Sequence, residues 1–501
     1  MGFTRLRTLA IVVAVSLGLT SCGVSGPGSS SEPTTTLVVG ATWEPPAMDP
    51  WRDTQAAIPL VLLYNVYETL VKVDAEGQLK PLLAQAWELS PDRLTYTFHL
   101  NPAAKFASGK PVDSAAVVAN INRLKSDTTL SKTLAAQVAI VKSATVVNNL
   151  EVAITLTKPS TMWLYEMSST LGMMLDPSFT GDLKSATAGS GPYQFSEHAK
   201  GQSVTLTKNP SYWGTPARFD AVEFRYYTDP NAMNAAMLSG DLDIISNLQA
   251  PDTLSQYSDP SRFTVIDGTT NGEVVLGMNQ SVKALSNLKV RQALTQAIDR
   301  KALLKTVWNG KGTLIGSMTV PTDPWYTDLS GTNPYNPANA KALLAKSGYG
   351  KGLKLRLRVP NVPYAAKSAQ FVASQLRDVG VQVKIEELDA QRWYAEVFQQ
   401  GDYDLTIVAH VEPRDLGKFA DPTYYWHYNS PKFQTLYAAA DVAPGDDAVA
   451  KMRGAAAYLA QDCAAIWLFA MPNLVITKNT ISGVPTNASS LSFDLTTIAS
   501  R

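Results

Sequence analysis

The 501-residue chain has little of what reactive or charge-driven proteins rely on. Two cysteines exclude a disulfide scaffold and any cysteine-rich zinc or iron–sulfur site. Four histidines leave few ordinary transition-metal ligands. Charged residues make up only 17%, and 43 basic residues balance 43 acidic ones, so the basic footprint of a nucleic-acid binder is missing. There is no Gly-x-Ser-x-Gly elbow, no His-Glu-x-x-His helix and no nucleotide loop. Gly348, Gly350 and Gly352 read as a helix-to-strand turn and lack dinucleotide spacing. Asp241 and Asp243 are close in sequence, but spacing alone makes no acid–base pair. What remains is a chain that is 45% hydrophobic, too apolar for disorder. At roughly 100–200 residues per domain, its length suits two to four domains with ample core.

The N-terminus reads as a signal. Arg5 and Arg7 precede an apolar run from Leu9 to Leu19, shorter than the roughly 20 residues that span a bilayer. It ends in Leu19-Thr20-Ser21-Cys22, which looks like a bacterial lipobox. The expectation is a signal peptide over 1–21, lipidation of Cys22, and a Gly/Ser/Pro/Thr-rich tether over 22–36. The chain would then be anchored to the outer face of the cell membrane. No later segment has about 18 uninterrupted apolar residues. With Cys22 lipidated, Cys463 has no partner, and its apolar neighbours Ala464 to Leu468 suggest a buried, inert thiol.

The body reads as α/β. Leu353, Leu355, Leu357 and Val359 alternate as a strand. Ala365, Ala369, Val372, Leu376 and Val379 form one helix face, and Gly380 is placed to end that helix. Val381, Val383 and Ile385 alternate again, which completes a parallel βαβ unit. A second unit combines Val222, Phe224 and Tyr226 with a helix capped by Asp229-Pro230 and ended by Gly240, then a strand at Leu242–Ile245. The spacing of Val290, Ala293, Leu294, Ala297 and Ile298 predicts one helix over 289–304. Region 76–189 differs: strands at Tyr96–Leu100 and Val152–Leu156 flank a helix from Asp113, an α+β pattern.

A series of landmarks then runs in order along the chain. They are Asp49-Pro50, Asn65-Val66-Tyr67-Glu68-Thr69-Leu70, Pro81-Leu82-Leu83-Ala84 with Trp87, Tyr96-Thr97-Phe98-His99-Leu100 and Lys105-Phe106 with Gly109. Gly189-Ser190-Gly191-Pro192-Tyr193, Asn209-Pro210 with Tyr212-Trp213, Gly240-Asp241-Leu242-Asp243, and Val290 to Leu294 with Ala297 to Arg300 follow. In these the chain resembles the family 5 extracellular solute-binding proteins of ABC importers, a group that includes oligopeptide, dipeptide and nickel binders. The resemblance implies a class II, Venus-flytrap fold of two lobes with an extra α+β domain inserted in the first. Lobe I would comprise 36–75, 190–280 and 475–501, the insert 76–189, and lobe II 281–474. The chain would cross between lobes near Gly277-Met278-Asn279 and Met471-Pro472-Asn473. Function would be capture, with no cofactor and no catalytic group. Partners would be a short peptide or related solute, an ABC permease and ATPase, and the membrane through the lipid, with the protein itself a monomer.

Residues 404–428 are the most informative for binding. A strand from Asp404 to Ala409 feeds a loop containing His410, Glu412, Arg414, Asp415, Asp421-Pro422, Tyr424, Tyr425 and Trp426. Glu412, Arg414 and Asp415 bring both charge signs together, as a zwitterion requires. In peptide-binding relatives an aspartate before an acidic-Pro dipeptide pairs with the ligand's α-ammonium. Asp421-Pro422 matches the dipeptide, and Asp415 or Glu412 would take the ammonium. The upstream part is longer than the family pattern, and His410 replaces a tryptophan. Asp421 has the alternative of a simple turn former. Trp43 and Trp426 flank landmarks that lie near the cleft in the family and are candidate ligand contacts, whereas Tyr67 and Trp213 read as packing residues. No direct metal site is expected, since His410 and His427 share the loop region without a spacing that makes them converge. The alternatives are a nickel, metal-chelate or haem binder of the same family, and a secreted hydrolase on a lipid anchor.

Overall fold

The computed structural model describes residues 35–53 and 55–501. The signal peptide, Cys22 and nearly all of the tether lie outside the described residues.

One ten-stranded sheet runs through the body. Its spatial order is Val381–Leu388, Leu353–Pro360, Leu405–His410, Phe263–Met278, Ile466–Lys478, Ile244–Ile245, Thr36–Ala41, Ala221–Tyr226, Ser203–Lys208 and Tyr193–Ala199. Both βαβ units form. Leu353 to Pro360 pairs in parallel with Val381 to Leu388, and the connecting helix is Pro363–Asp378 with Gly380 at φ +91°. Thr36–Ala41 lies parallel to both Ala221–Tyr226 and Ile244–Ile245. The helix of that unit, Pro230–Ser239, is capped by Asp229, and Gly240 ends it at φ +93°.

The expected helix over 289–304 is two helices, Leu288–Gln296 and Arg300–Trp308. The Asp299 side chain accepts from Ala302 N at 2.9 Å and starts the second helix. Ala297 and Ile298 at the break are as buried as the flanking helix residues, so the apolar spacing continues across it and conceals it.

Residues 84–156 form a separate four-stranded antiparallel sheet in the order Ala84–Leu89, Thr95–Leu100, Glu151–Leu156, Val141–Asn148. Tyr96, Phe98 and Leu100 alternate inward, and Val117, Ile121 and Leu124 of the helix Ser114–Ser126 belong to the same apolar core.

Several landmark segments prove to be one packed unit. Gly189 and Gly191 lie so close to the 65–66 backbone that a Cβ would come within 1.9 Å of Val66 O and 2.4 Å of Asn65 O. Between them Ser190 donates to Glu68 at 2.8 Å, and Tyr212 and Trp213 donate to the same carboxylate at 2.7 and 2.8 Å. Tyr67 is fully buried with Trp51 edge-on at 5.5 Å. Arg291 donates to the carbonyls of Leu285, Ser286, Asp462 and Cys463 and pairs with the Asp462 carboxylate at 3.1 Å. Cys463 is a free, buried thiol, and burial pushes its pKa up to about 11.

Two long strands tie the body together. Phe263–Met278 and Ile466–Lys478 run antiparallel, and 16 residues at about 3.3 Å each reach roughly 50 Å, enough to traverse two domains. Their ladder runs from Phe263–Lys478 to Thr269–Pro472 and resumes at Glu273–Ala470. Residues 270–272 therefore bulge opposite Met471. Gly277 and Met278 instead pair regularly with Thr406 and Leu405. A Cβ on Gly277 would lie 2.8 Å from the Trp426 indole nitrogen, so this glycine serves a close approach.

Alternation along the strands separates two cores. Val274, Leu276, Leu405 and Ile407 face one cluster, and Val275 faces another with Leu416, Phe419, Trp426 and Trp467.

Candidate functional site

The strand Leu405–His410 pairs with Phe263–Met278, and the last partners before the bulge are Glu273 and His410. Directly opposed residues share a face with Cβ atoms about 5 Å apart, so an acid and an imidazole stand side by side on the sheet. After His410 the chain turns through Arg414, at φ +56°, into the short 3-10 helix Asp415–Ala420. That turn folds Glu412 and Asp415 back over the strand end. One ligand-capable atom each from His410, Glu412 and Asp415 lie within 4.8 Å of one another.

His410, Asp415 and the neighbouring Glu273 are buried, and Glu412 is half buried. Asp415 is 5% exposed and Glu273 2%. Both oxygens of Asp415 and Oε2 of Glu273 have no hydrogen-bond partner. His410 Nε2 is bonded to the Tyr425 hydroxyl at 2.9 Å, and its Nδ1 lies 3.8 Å from Asp415 Oδ2. Burial, reinforced by Asp415, Asp323 and Glu412, holds the Glu273 pKa well above the usual carboxylate range. Burial and Glu412 do the same to Asp415, against the pull of Lys418. Burial raises Asp323 to about 6, although Val320 N–H and Arg414 oppose it. His410 is pushed down to about 4 by burial, so its imidazole is neutral at pH 7.

Segments distant in sequence meet around this cluster. The Arg414 guanidinium lies 3.5 Å over the Tyr165 ring and 5.4 Å from the Trp325 ring. It donates to Gly77 O at 3.0 Å. Arg414 is thus turned to the protein's own residues, and the carboxylate fork expected of it is engaged as a clasp. Nearby, Asp441 accepts from Ser160 Oγ at 2.7 Å and Thr161 N at 3.1 Å, and Thr161 N also donates to the Asp441 carbonyl. Contacts from 77, 160–165, 323–325 and 414–441 converge here.

The remaining candidates are placed differently. Trp426 is 1% exposed, stacks on Phe419 at 4.1 Å and has its ring 4.8 Å from that of His410. Its Nε1 has no partner. Asp421 is exposed and accepts from Thr423 N and Oγ1 at 2.8 and 2.7 Å, the turn-forming arrangement that was its alternative. Trp43 is 50% exposed beyond the strand Thr36–Ala41. Neither belongs to the buried group, whereas Glu412, Asp415 and Trp426 gather around His410. His427 sits with Nε2 toward Gly401 and is not in the cluster.

Sequence reading missed Glu273 and Asp323. The signal for Glu273 was present: a lone acid opens the apolar run Val274-Val275-Leu276. Asp323, before Pro324, has the signature of an ordinary turn.

The α/β body is threaded by two long antiparallel strands, and Glu273, on one of them, lies beside a largely buried group of acids and an imidazole. Residues 78–433 match the profile described as bacterial extracellular solute-binding proteins, family 5, middle. The chain belongs to this family, and it is the solute-binding protein of an ABC importer. Its relatives include the glutathione-binding protein GsiB of Pectobacterium atrosepticum, 29% identical over 409 residues that cover 77% of this chain and 75% of GsiB. Among solved structures, DppA of Helicobacter pylori in complex with the peptide STSA superposes with a TM-score of 0.83 at 21% identity, covering 93% of this chain and 98% of DppA. NikA of Staphylococcus aureus in complex with Ni(L-His)2 gives 0.80 at 17% identity, covering 93% and 100%. These structures share the two-lobe fold. The family is extracytoplasmic, and no described helix is long and apolar enough to cross a membrane.

Proposed function

We propose that this protein captures short peptides between lobe I (36–75, 190–280 and 475–501, with the insert 76–189) and lobe II (281–474). It delivers them to the permease as a monomer held to the membrane by lipidated Cys22. The observation that carries the reading is Asp415: a carboxylate whose two oxygens are buried without a partner, at the convergence of distant segments. A buried unpaired carboxylate is costly unless a cation joins it. The α-ammonium of a peptide is such a cation, and Glu412 stands beside it as a second acceptor. Trp426 packs its ring 4.8 Å from that of His410. The pivot would be the bulge at 270–272 opposite Met471, where the ladder between the two connecting strands is interrupted, a few residues before the crossing at 277–279 that the resemblance implies.

The test is a thermal-shift screen of the full chain against di- to pentapeptides. A peptide at 100 times its Kd adds about 2.7 kcal/mol of stability. No shift with any peptide contradicts the ligand class and leaves the fold untouched. Replacing Cys22 with Ser should release the protein from the membrane fraction, and its retention there would argue against the lipid anchor.

A further inference from the structure

The group around His410 carries more acid than its own cations balance. Glu273 feels the charges of Asp415, Asp323 and Glu412, and Asp415 feels those of Glu412 and Asp323. Two cations face these four acids. Arg414 acts on Asp323, and its guanidinium is already turned to Tyr165 and Gly77 O. Lys418 acts on Asp415, is drawn on by Glu166 as well, and forms no ion pair within 4.0 Å among the described residues. His410 is a neutral imidazole at pH 7 and adds no charge. Two negative charges are therefore in excess, and uncompensated charge in a buried setting is costly. The raised carboxyls cancel that excess by holding protons, and ligand cations can take the protons' place.

The unpartnered atoms divide the excess between two elements. Both oxygens of Asp415, at the start of the 3-10 helix, and Oε2 of Glu273, on the strand Phe263–Met278, are buried with no hydrogen-bond partner. His410 neighbours both: it is the ladder partner of Glu273, and its Nδ1 lies 3.8 Å from Asp415 Oδ2. The α-ammonium of a peptide offers three donors but a single charge. It can neutralise Asp415 and still leave Glu273 with Glu412 in excess. Asn271, two residues before Glu273 and within the bulge, is 4% exposed and its Nδ2 has no partner. That donor suits a peptide carbonyl, which a bare diamine lacks.

We propose that the site selects peptides whose first residue is basic, with Asp415 taking the α-ammonium and Glu273 and Glu412 taking the side-chain cation. The inference rests on the peptide reading and names which peptides it concerns. A lysine suits the arrangement, because its flexible four-carbon stem carries the second charge away from the first.

The experiment is calorimetric titration of the full chain with three tripeptides: Lys-Ala-Ala, norleucine-Ala-Ala and Ala-Ala-Lys. Norleucine is lysine without its amine, and Ala-Ala-Lys keeps the net charge while moving the cation to the other end. Lys-Ala-Ala should bind at least tenfold more tightly than either of the others. That ratio should fall at least threefold in Glu273→Gln and in Glu412→Gln, with the fold of each variant checked by circular dichroism. Glu412 is only half buried, so its variant keeps the test valid if Glu273→Gln fails to fold. Equal affinity for Lys-Ala-Ala and norleucine-Ala-Ala overturns the selection and leaves the peptide reading intact. Ala-Ala-Lys binding as tightly as Lys-Ala-Ala also overturns it, since net charge alone would then explain the preference. A lysine preference that persists undiminished in the folded variants overturns the assignment to Glu273 and Glu412. No binding of these or of any peptide in the thermal-shift screen removes both readings.

Discussion

Two buried carboxylates stand in opposite situations. Glu68 receives three hydrogen bonds, from Ser190, Tyr212 and Trp213. Asp415 receives none. Both are nearly inaccessible, and burial raises the pKa of each. Glu68 joins three landmark segments and both of its oxygens already accept hydrogen bonds, so it holds the fold together. Asp415 retains its full capacity to accept. Burial alone does not distinguish these two acids; hydrogen-bond accounting does.

The comparison is sharpest when each acid is removed. Asp415→Asn should lower peptide affinity 100- to 1000-fold, about 3–4 kcal/mol, while leaving the melting temperature of the ligand-free protein unchanged or higher. Calorimetry and thermal melts read both effects, and a destabilised variant with intact affinity would break the contrast. Glu68→Ala should do the reverse. It leaves three buried donors unpaired and should cost about 3 kcal/mol in urea unfolding without changing affinity once folded.

Acidity offers a third handle. The raised carboxyls of Asp415 and Glu273, and Asp323 near 6, hold protons that a cationic ligand must displace. Cation affinity should therefore rise as pH increases from 5 to 7, and the gain should shrink in Asp415→Asn. Glu68 pulls the other way on stability. Its pKa is raised by burial to about 7, so the folded state holds the proton above the unfolded value near 4.5. Stability from this group is full below 4.5 and declines as pH rises toward 7. The smallest effect belongs to Asp421. Asp421→Ala removes an exposed turn contact to Thr423 and should change stability by less than about 0.5 kcal/mol and affinity not measurably.

Much of the fold was legible because it is written locally. Alternation at Leu353–Val359, the cap at Asp229 and the stop at Gly380 each act within a few residues. The landmark order was legible too, since Glu68, Ser190 and Trp213 are held together by contacts that fix residue types. The split of 288–308 was not, because the apolar period runs through it. Nor was the bulge at 270–272, because a missing pairing leaves no mark on a single strand. Within the site, Glu412 and Asp415 were readable from local charge, whereas Glu273 and Asp323 arrive from elements far apart in sequence. Arg414 showed the limit of composition: its charge was evident, but its engagement with Tyr165 and Gly77 depends on segments more than 200 positions away.

In the proposed function Asp415 receives the ammonium end of a peptide. The most direct test is a calorimetric comparison of a bound peptide with the same peptide acetylated at its N-terminus. Acetylation, which removes the positive charge and adds a small acetyl group, should weaken binding at least 100-fold in the wild-type protein and far less in Asp415→Asn. Equal affinity for the free and acetylated peptides would contradict that role.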